Sequence, residues 1–76
     1  MDKPRKFIDL VIPFNNEYLN LQILLPKIIK IIKKVKYFKF RLIFIDDGST
    51  DQGCLLVHRF KKKYKYIFLL RNKIKS

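Results

Sequence analysis

A chain of 76 residues can hold one folded unit at most, and a unit this small buries only roughly 60–65% of its unfolded surface, which leaves little spare stability. Hydrophobic residues make up 49% of it and mean hydropathy is −0.09, which excludes disorder by composition. The 18 Lys and Arg against six Asp and Glu leave a formal charge of +12, so polyanions of any kind are attracted, whether nucleic acid, anionic lipid or phosphorylated small molecules.

The first stretch, "KFIDLVIPF", is β-branched and aromatic from Lys6 to Val11 or Ile12 and reads as a buried strand stopped by Pro13. After the polar turn "NNE", Leu21, Leu24, Leu25, Ile28, Ile31, Ile32 and Val35 recur at three- and four-residue steps. Lys27, Lys30, Lys33, Lys34 and Lys36 fall largely between them, so the pattern predicts an amphipathic helix with a basic outer face. Pro26 inside it predicts a kink or a restart, because proline lacks the N–H and clashes with the preceding turn. A second strand is predicted from Arg41 to Ile45, ending in "DDGST". Ser49 followed by Gln52 fits a capping box, which predicts a second helix with Leu56, Val57, Phe60 and Tyr64 inward. "YIFLL", Tyr66 to Leu70, is the third strand. Strands apolar on both faces alternating with helices predict an α/β fold: a β-α-β-α-β parallel sheet with right-handed crossovers, in a single partial domain over residues 1–76.

Asp46, Asp47 and Asp51 fall within six residues, half of the acid supply of a strongly basic chain. Adjacent carboxylates repel, so their concentration points to donors that meet them. In parallel sheets ligands bind beyond the carboxyl ends of the strands, and both polar clusters, "PFNNE" and "DDGSTD", lie there. No G-x-G-x-x-G follows the first strand and no G-x-x-x-x-G-K-[ST] occurs, which argues against a dinucleotide fingerprint and a P-loop. "DGSTD" lacks the spaced ligands of an EF-hand, and Cys54 and His58, four apart, have no partners to make a metal site. A single cysteine gives no disulfide framework, and no apolar run reaches the ~18 residues of a membrane span. With no signal peptide evident, the expected location is cytoplasmic, peripheral at the inner face of a membrane if bound to one.

"LVIPFNNEYLNLQILLPKI" followed by "RLIFIDDGSTDQG" resembles the opening of the family 2 inverting nucleotide-sugar glycosyltransferases of GT-A fold, nearest to the polyprenyl-phosphate, dolichyl-phosphate mannose synthase-like subgroup. Pro13, Asn16, Glu17, Asn20, Leu21, Asp46, Asp47, Gly48, Ser49 and Asp51 match the family pattern, and "LLRN" places Arg71 and Asn72 after its third strand. The resemblance implies that the chain is the nucleotide-binding front part of a transferase moving a sugar to an acceptor such as a polyprenyl phosphate. Its implied nucleotide-binding residues are Pro13, Phe14, Asn15, Glu17, Asp46, Asp47, Gly48 and Ser49. Asp47 would accept from the ring N–H of the uracil or guanine of a UDP- or GDP-linked sugar, since a carboxylate only accepts hydrogen bonds. Glu17 would help hold base or ribose, Asp46 would stabilise the turn, Asp51 would suit the dipole of the second helix, and Gly48 would allow a backbone angle closed to other residues. Asn15 stands where many members have Tyr, which leaves Phe14 to supply aromatic packing. The D-x-D motif that holds a divalent metal (Mg²⁺ or Mn²⁺) in the complete enzyme does not occur here, nor does a catalytic base, so this chain brings no metal ligands and is expected to be inactive alone.

A phosphoacceptor or dehalogenase-like phosphatase domain also uses strand-end aspartates, but those sites want an acidic pair after the first strand or a D-x-D. A small basic nucleic-acid-binding α/β module is the alternative of a different class, supported by the charge and by "KKKYKYIF", although no recognised reading motif is present. The surface "PKIIKIIKKVKYFKFR" would also suit anionic lipid.

Overall fold

Three parallel strands in the order β1-β2-β3 are joined by two helical crossovers: β1 is Lys6–Phe14, α1 Tyr18–Lys34, β2 Phe38–Asp46, α2 Gly53–Lys63 and β3 Ile67–Arg71. This computed structural model describes residues 6–72, so the outermost residues of the expected 1–76 domain lie outside it. The α/β reading from the sequence holds element by element. Both crossovers step in the same direction across the sheet, and a right-handed connection then puts both helices on one face.

The period of two along each strand decides what that face holds. Leu42 and Phe44 of β2, Ile67 of β3 and Phe14 of β1 point to the helices and are buried with Leu21, Leu25 and Ile29 of α1 and Leu56 and Val57 of α2. Phe7, Val11, Phe68 and Leu70, at the alternate positions, lie exposed on the opposite face. That open face also carries Asp9 and Arg41, paired through Nε to Oδ1 at 2.7 Å and Nη2 to Oδ2 at 3.0 Å; the bond to Asp9 and its charge raise the Arg41 pKa.

Several local expectations are corrected. β1 runs through Pro13, in register with Ile45, to Phe14. The Phe14 carbonyl accepts from Asp47 N at 2.9 Å, so the backbone polar groups of Phe14 face β2 and those of Pro13 face the outer edge, where a missing N–H removes no ladder bond. β2 starts at Phe38 and ends at Asp46, longer than Arg41 to Ile45, and β3 is shifted by one residue at each end. α1 is one helix through Pro26, without a restart. Its buried ridge is Leu21, Leu25 and Ile29, while Leu24 and Ile31, expected inside, are exposed. Ile31 lies two residues beyond Ile29, about 200° round the helix, and cannot share its face. Ser49 does not cap α2, which begins at Gly53 after Gln52.

Candidate functional site

The carboxyl edge of the sheet is a single row, Phe14, Asp46 and Arg71, because those three residues are in register across β1, β2 and β3. The loops that follow β1 and β2 start from this row and are bound to each other. Asn16 has a positive φ of 53°, a left-handed conformation that asparagine tolerates better than most residues. In that position its Oδ1 accepts from Thr50 N at 2.8 Å and Asp51 N at 3.1 Å, while its own N–H donates to Ser49 Oγ at 2.9 Å. Asp51 answers from the other side: Oδ2 accepts from Tyr18 N at 3.0 Å and Oδ1 from Gly53 N at 2.9 Å, satisfying otherwise orphaned donors at the starts of both α1 and α2. Gly48 supplies the other left-handed turn, at φ 76°.

Asp46 is fully buried, and its Oδ1 accepts from Ser49 N at 2.8 Å. Arg71 Nε lies 3.2 Å from Oδ2, an ion-pair contact with a half-exposed guanidinium. Burial alone would raise the carboxyl pKa, but the Ser49 hydroxyl and N–H, the Cys54 thiol and the Arg71 charge together outweigh it and hold it below the ordinary carboxylate value. The Cys54 thiol is in turn pushed up, by burial first and then by its bond to Asp46. Asp46 is therefore the turn's internal acceptor, the role expected for it: Oδ1 takes the Ser49 N–H, while the buried Oδ2 has the half-exposed Arg71 guanidinium beside it.

Asp47, one residue on, points the other way and is exposed. Its carbonyl accepts from Asn15 Nδ2, and its carboxylate Oδ1 lies 3.3 Å from Asn72 Nδ2. The Asn72 N–H donates to the Asp46 carbonyl at 2.8 Å, so the chain leaving β3 is fastened to the same place. Glu17, at the start of α1, is exposed and accepts from Asn20 Nδ2 at 2.6 Å. Of the eight residues named from the sequence, Asn15, Glu17 and Asp47 thus present polar groups to solvent around the loop ends, with Gly48 forming the turn. Ser49 and Asp46 are buried supports. Pro13 lies on the open sheet face, and Phe14, 4% exposed, packs its ring edge-on against Phe44 at 6.4 Å between centroids. The expectation that the Phe14 ring packs on a base does not match this placement: the ring belongs to the core.

Asn16, Asp51, Arg71 and Asn72 were not among those eight, yet they assemble the site. The signal for them was present in the matching positions of the family pattern; spacing alone gave no reason to pair residues more than thirty positions apart.

Among the described residues no three His, Cys, Asp or Glu side chains gather as a metal-sized group, and the Asp46 oxygens are turned to Ser49 and Arg71. These residues do not fit a divalent cation. Nor is any helix among them long and apolar enough to cross a membrane.

The profile of glycosyl transferase family 2 matches residues 9–76. Among curated proteins the chain is similar to dolichyl-phosphate beta-glucosyltransferase ALG5D of Trichomonas vaginalis, 29% identical over 91% of this chain and 22% of the relative. It is 30% identical to ALG5A of the same organism, over 96% of the chain and 24% of the relative. The Homo sapiens dolichyl-phosphate beta-glucosyltransferase is 28% identical over 99% of the chain and 26% of its own length. The chain thus spans about a quarter of the length of these relatives, and with the family profile covering nearly all of it, the chain belongs to glycosyl transferase family 2.

Proposed function

We propose that these 76 residues are the nucleotide-binding front part of a glycosyltransferase that moves a sugar from a nucleoside-diphosphate donor to a polyprenyl phosphate. The observation that carries the reading is the Asp47 carboxylate, exposed at the carboxyl edge of three parallel strands beside Asn72, with Asn15 holding the same residue's backbone carbonyl. A carboxylate accepts and never donates, so it selects a base edge that offers N–H groups, as uracil and guanine do. Asp47 and Glu17 would repel phosphates, which favours the base end of the donor at this edge over its diphosphate. The acceptor class follows from the relatives, whose names specify dolichyl phosphate. A divalent cation on the diphosphate belongs, in this proposal, to the complete enzyme and not to the residues described here. So do the catalytic base, and a cytoplasmic site of action beside the membrane that holds the acceptor. The open sheet face supports the same view, since a doubly wound domain covers both faces of its sheet.

Titrating UDP and GDP against the chain and its Asp47→Asn variant tests the reading. Loss of one charge-assisted hydrogen bond of about 1.5–3 kcal/mol should weaken binding of the preferred nucleotide by roughly ten- to a hundredfold. Equal affinities would remove Asp47 from the site.

A further inference from the structure

The outer side of the helix layer has an unusual make-up. The buried ridge of α1 sets the direction of the core, and the side turned furthest from it carries Leu19, Ile23 and Ile31, interleaved with Lys27, Lys30 and Lys34. The three apolar residues are 72%, 59% and 59% exposed. On a helix whose only neighbour is water this stripe would be polar. α2, beside it on the same face of the sheet, repeats the pattern in short form, with exposed Leu55 near Arg59 and Lys62. Neither helix contains an Asp or a Glu. The carboxylates among the described residues lie elsewhere: Asp9 on the open sheet face, and Glu17, Asp46, Asp47 and Asp51 at the carboxyl edge. The helix layer is therefore uniformly cationic and studded with apolar side chains, two properties that solvent alone does not reward together.

We propose that the outer face of α1, with the adjoining side of α2, docks on the surface of an anionic phospholipid membrane. Lying in the interface, Leu19, Ile23 and Ile31 enter the boundary between headgroups and acyl chains, a depth of about 5–10 Å, while the lysines between them extend to the phosphates and bury their methylene stems. The apolar component separates this partner from nucleic acid, whose phosphates would attract the lysines but leave the isoleucines in water. The inference stands on the helix surface alone and is independent of whether the loops at the carboxyl edge bind nucleotide.

The test is co-sedimentation of the chain with phosphatidylcholine vesicles, with and without phosphatidylserine, at about 0.15 M salt. Binding should need the anionic lipid. Replacing Lys27, Lys30 and Lys34 by Gln should weaken it by roughly a hundredfold, about fivefold for each charge. The paired variant Ile23→Ser with Ile31→Ser, both exposed and so tolerable to the fold, should weaken vesicle binding at least about tenfold while leaving retention on a heparin or RNA column unchanged. Circular dichroism confirms that each variant is folded, and Asp47→Asn should bind vesicles as the parent does. Equal binding to neutral and anionic vesicles, or an Ile23/Ile31 variant that binds like the parent, would overturn the proposal. So would a structured RNA that displaces the chain from vesicles and holds it selectively at the same salt.

Discussion

The two faces of the sheet are built from the same residue types and have opposite fates. On the helix side, Leu42, Phe44 and Ile67 are buried under α1 and α2, and the carboxylate at its edge, Asp46, is buried with an arginine beside it. On the other side Phe7, Val11, Phe68 and Leu70 face outward, and the carboxylate there, Asp9, meets Arg41 half in solvent. The difference teaches that apolar strand residues by themselves say only that a sheet can be covered twice. Which face is covered here follows from the handedness of the crossovers and the number of helices the segment brings.

The sharpest way to break the contrast is Phe44→Ala. Phe44 is wholly enclosed, so the loss should be about 3–5 kcal/mol, enough to unfold a unit this small under mild conditions. Urea unfolding followed by circular dichroism reads it; a loss near that of an exposed position would show that the helix face is not the core. Next in size is Asp46→Asn, expected to remove about 1.5–3 kcal/mol, since a buried charge-assisted acceptor is replaced by a neutral one.

The same carboxylate predicts a pH dependence. The folded pKa of Asp46 lies below the unfolded value, so its contribution is fully present above that value, near 4, and is lost as pH falls through the folded pKa. Stability should therefore decline on acidification below about pH 4 in the parent, and with a shallower slope in Asp46→Asn, as urea midpoints at several pH values will show. A smaller effect again is expected at the loop clasp. Asn16→Ala should be the less stable by about 1 kcal/mol when compared with Asn16→Gly, because both lose the side-chain acceptor but only alanine suffers in the left-handed conformation. Equal stabilities would mean that the turn relaxes. Smallest of all are Val11→Ser and Asp9→Asn on the open face, whose urea midpoints should stay close to the parent's. A large loss at Val11 would mean that the open face is already covered in solution.

Most of the fold was legible because it is written in periods. The inward set Leu21, Leu25, Leu56, Val57 and the three strands follow from steps of two and of three to four residues. Ile31 was misread because α1 is apolar on more than one side, and a stripe count cannot tell which apolar side meets the sheet. The strand end at Pro13 was misread because a proline on an edge strand breaks no bond, and edge status is a property of the assembled sheet. At the candidate site, the turn-stabilising role of Asp46 and the special backbone angle of Gly48 came with the family resemblance of "DDGS", and the structure has both; the role of Asp47 rests on that resemblance. The expected Ser49 cap is not what forms, and the Asn16 clasp has no counterpart in the sequence pattern. Ser49 has a nearby backbone to serve in any sequence reading, whereas its actual partner, Asn16 N, arrives from another loop.

Asp51 gives the two loops a shared fate. One carboxylate meets the first turn of α1 through Tyr18 N on Oδ2 and of α2 through Gly53 N on Oδ1, so fraying at either helix start gives up a bond to the same side chain. The segments bearing Glu17 and Asp47 are thereby tied to each other as well as to the strands they leave. Order at one loop is therefore built on the other: the Asn16 side chain that shapes the first accepts from the backbone of the second at Thr50 and Asp51.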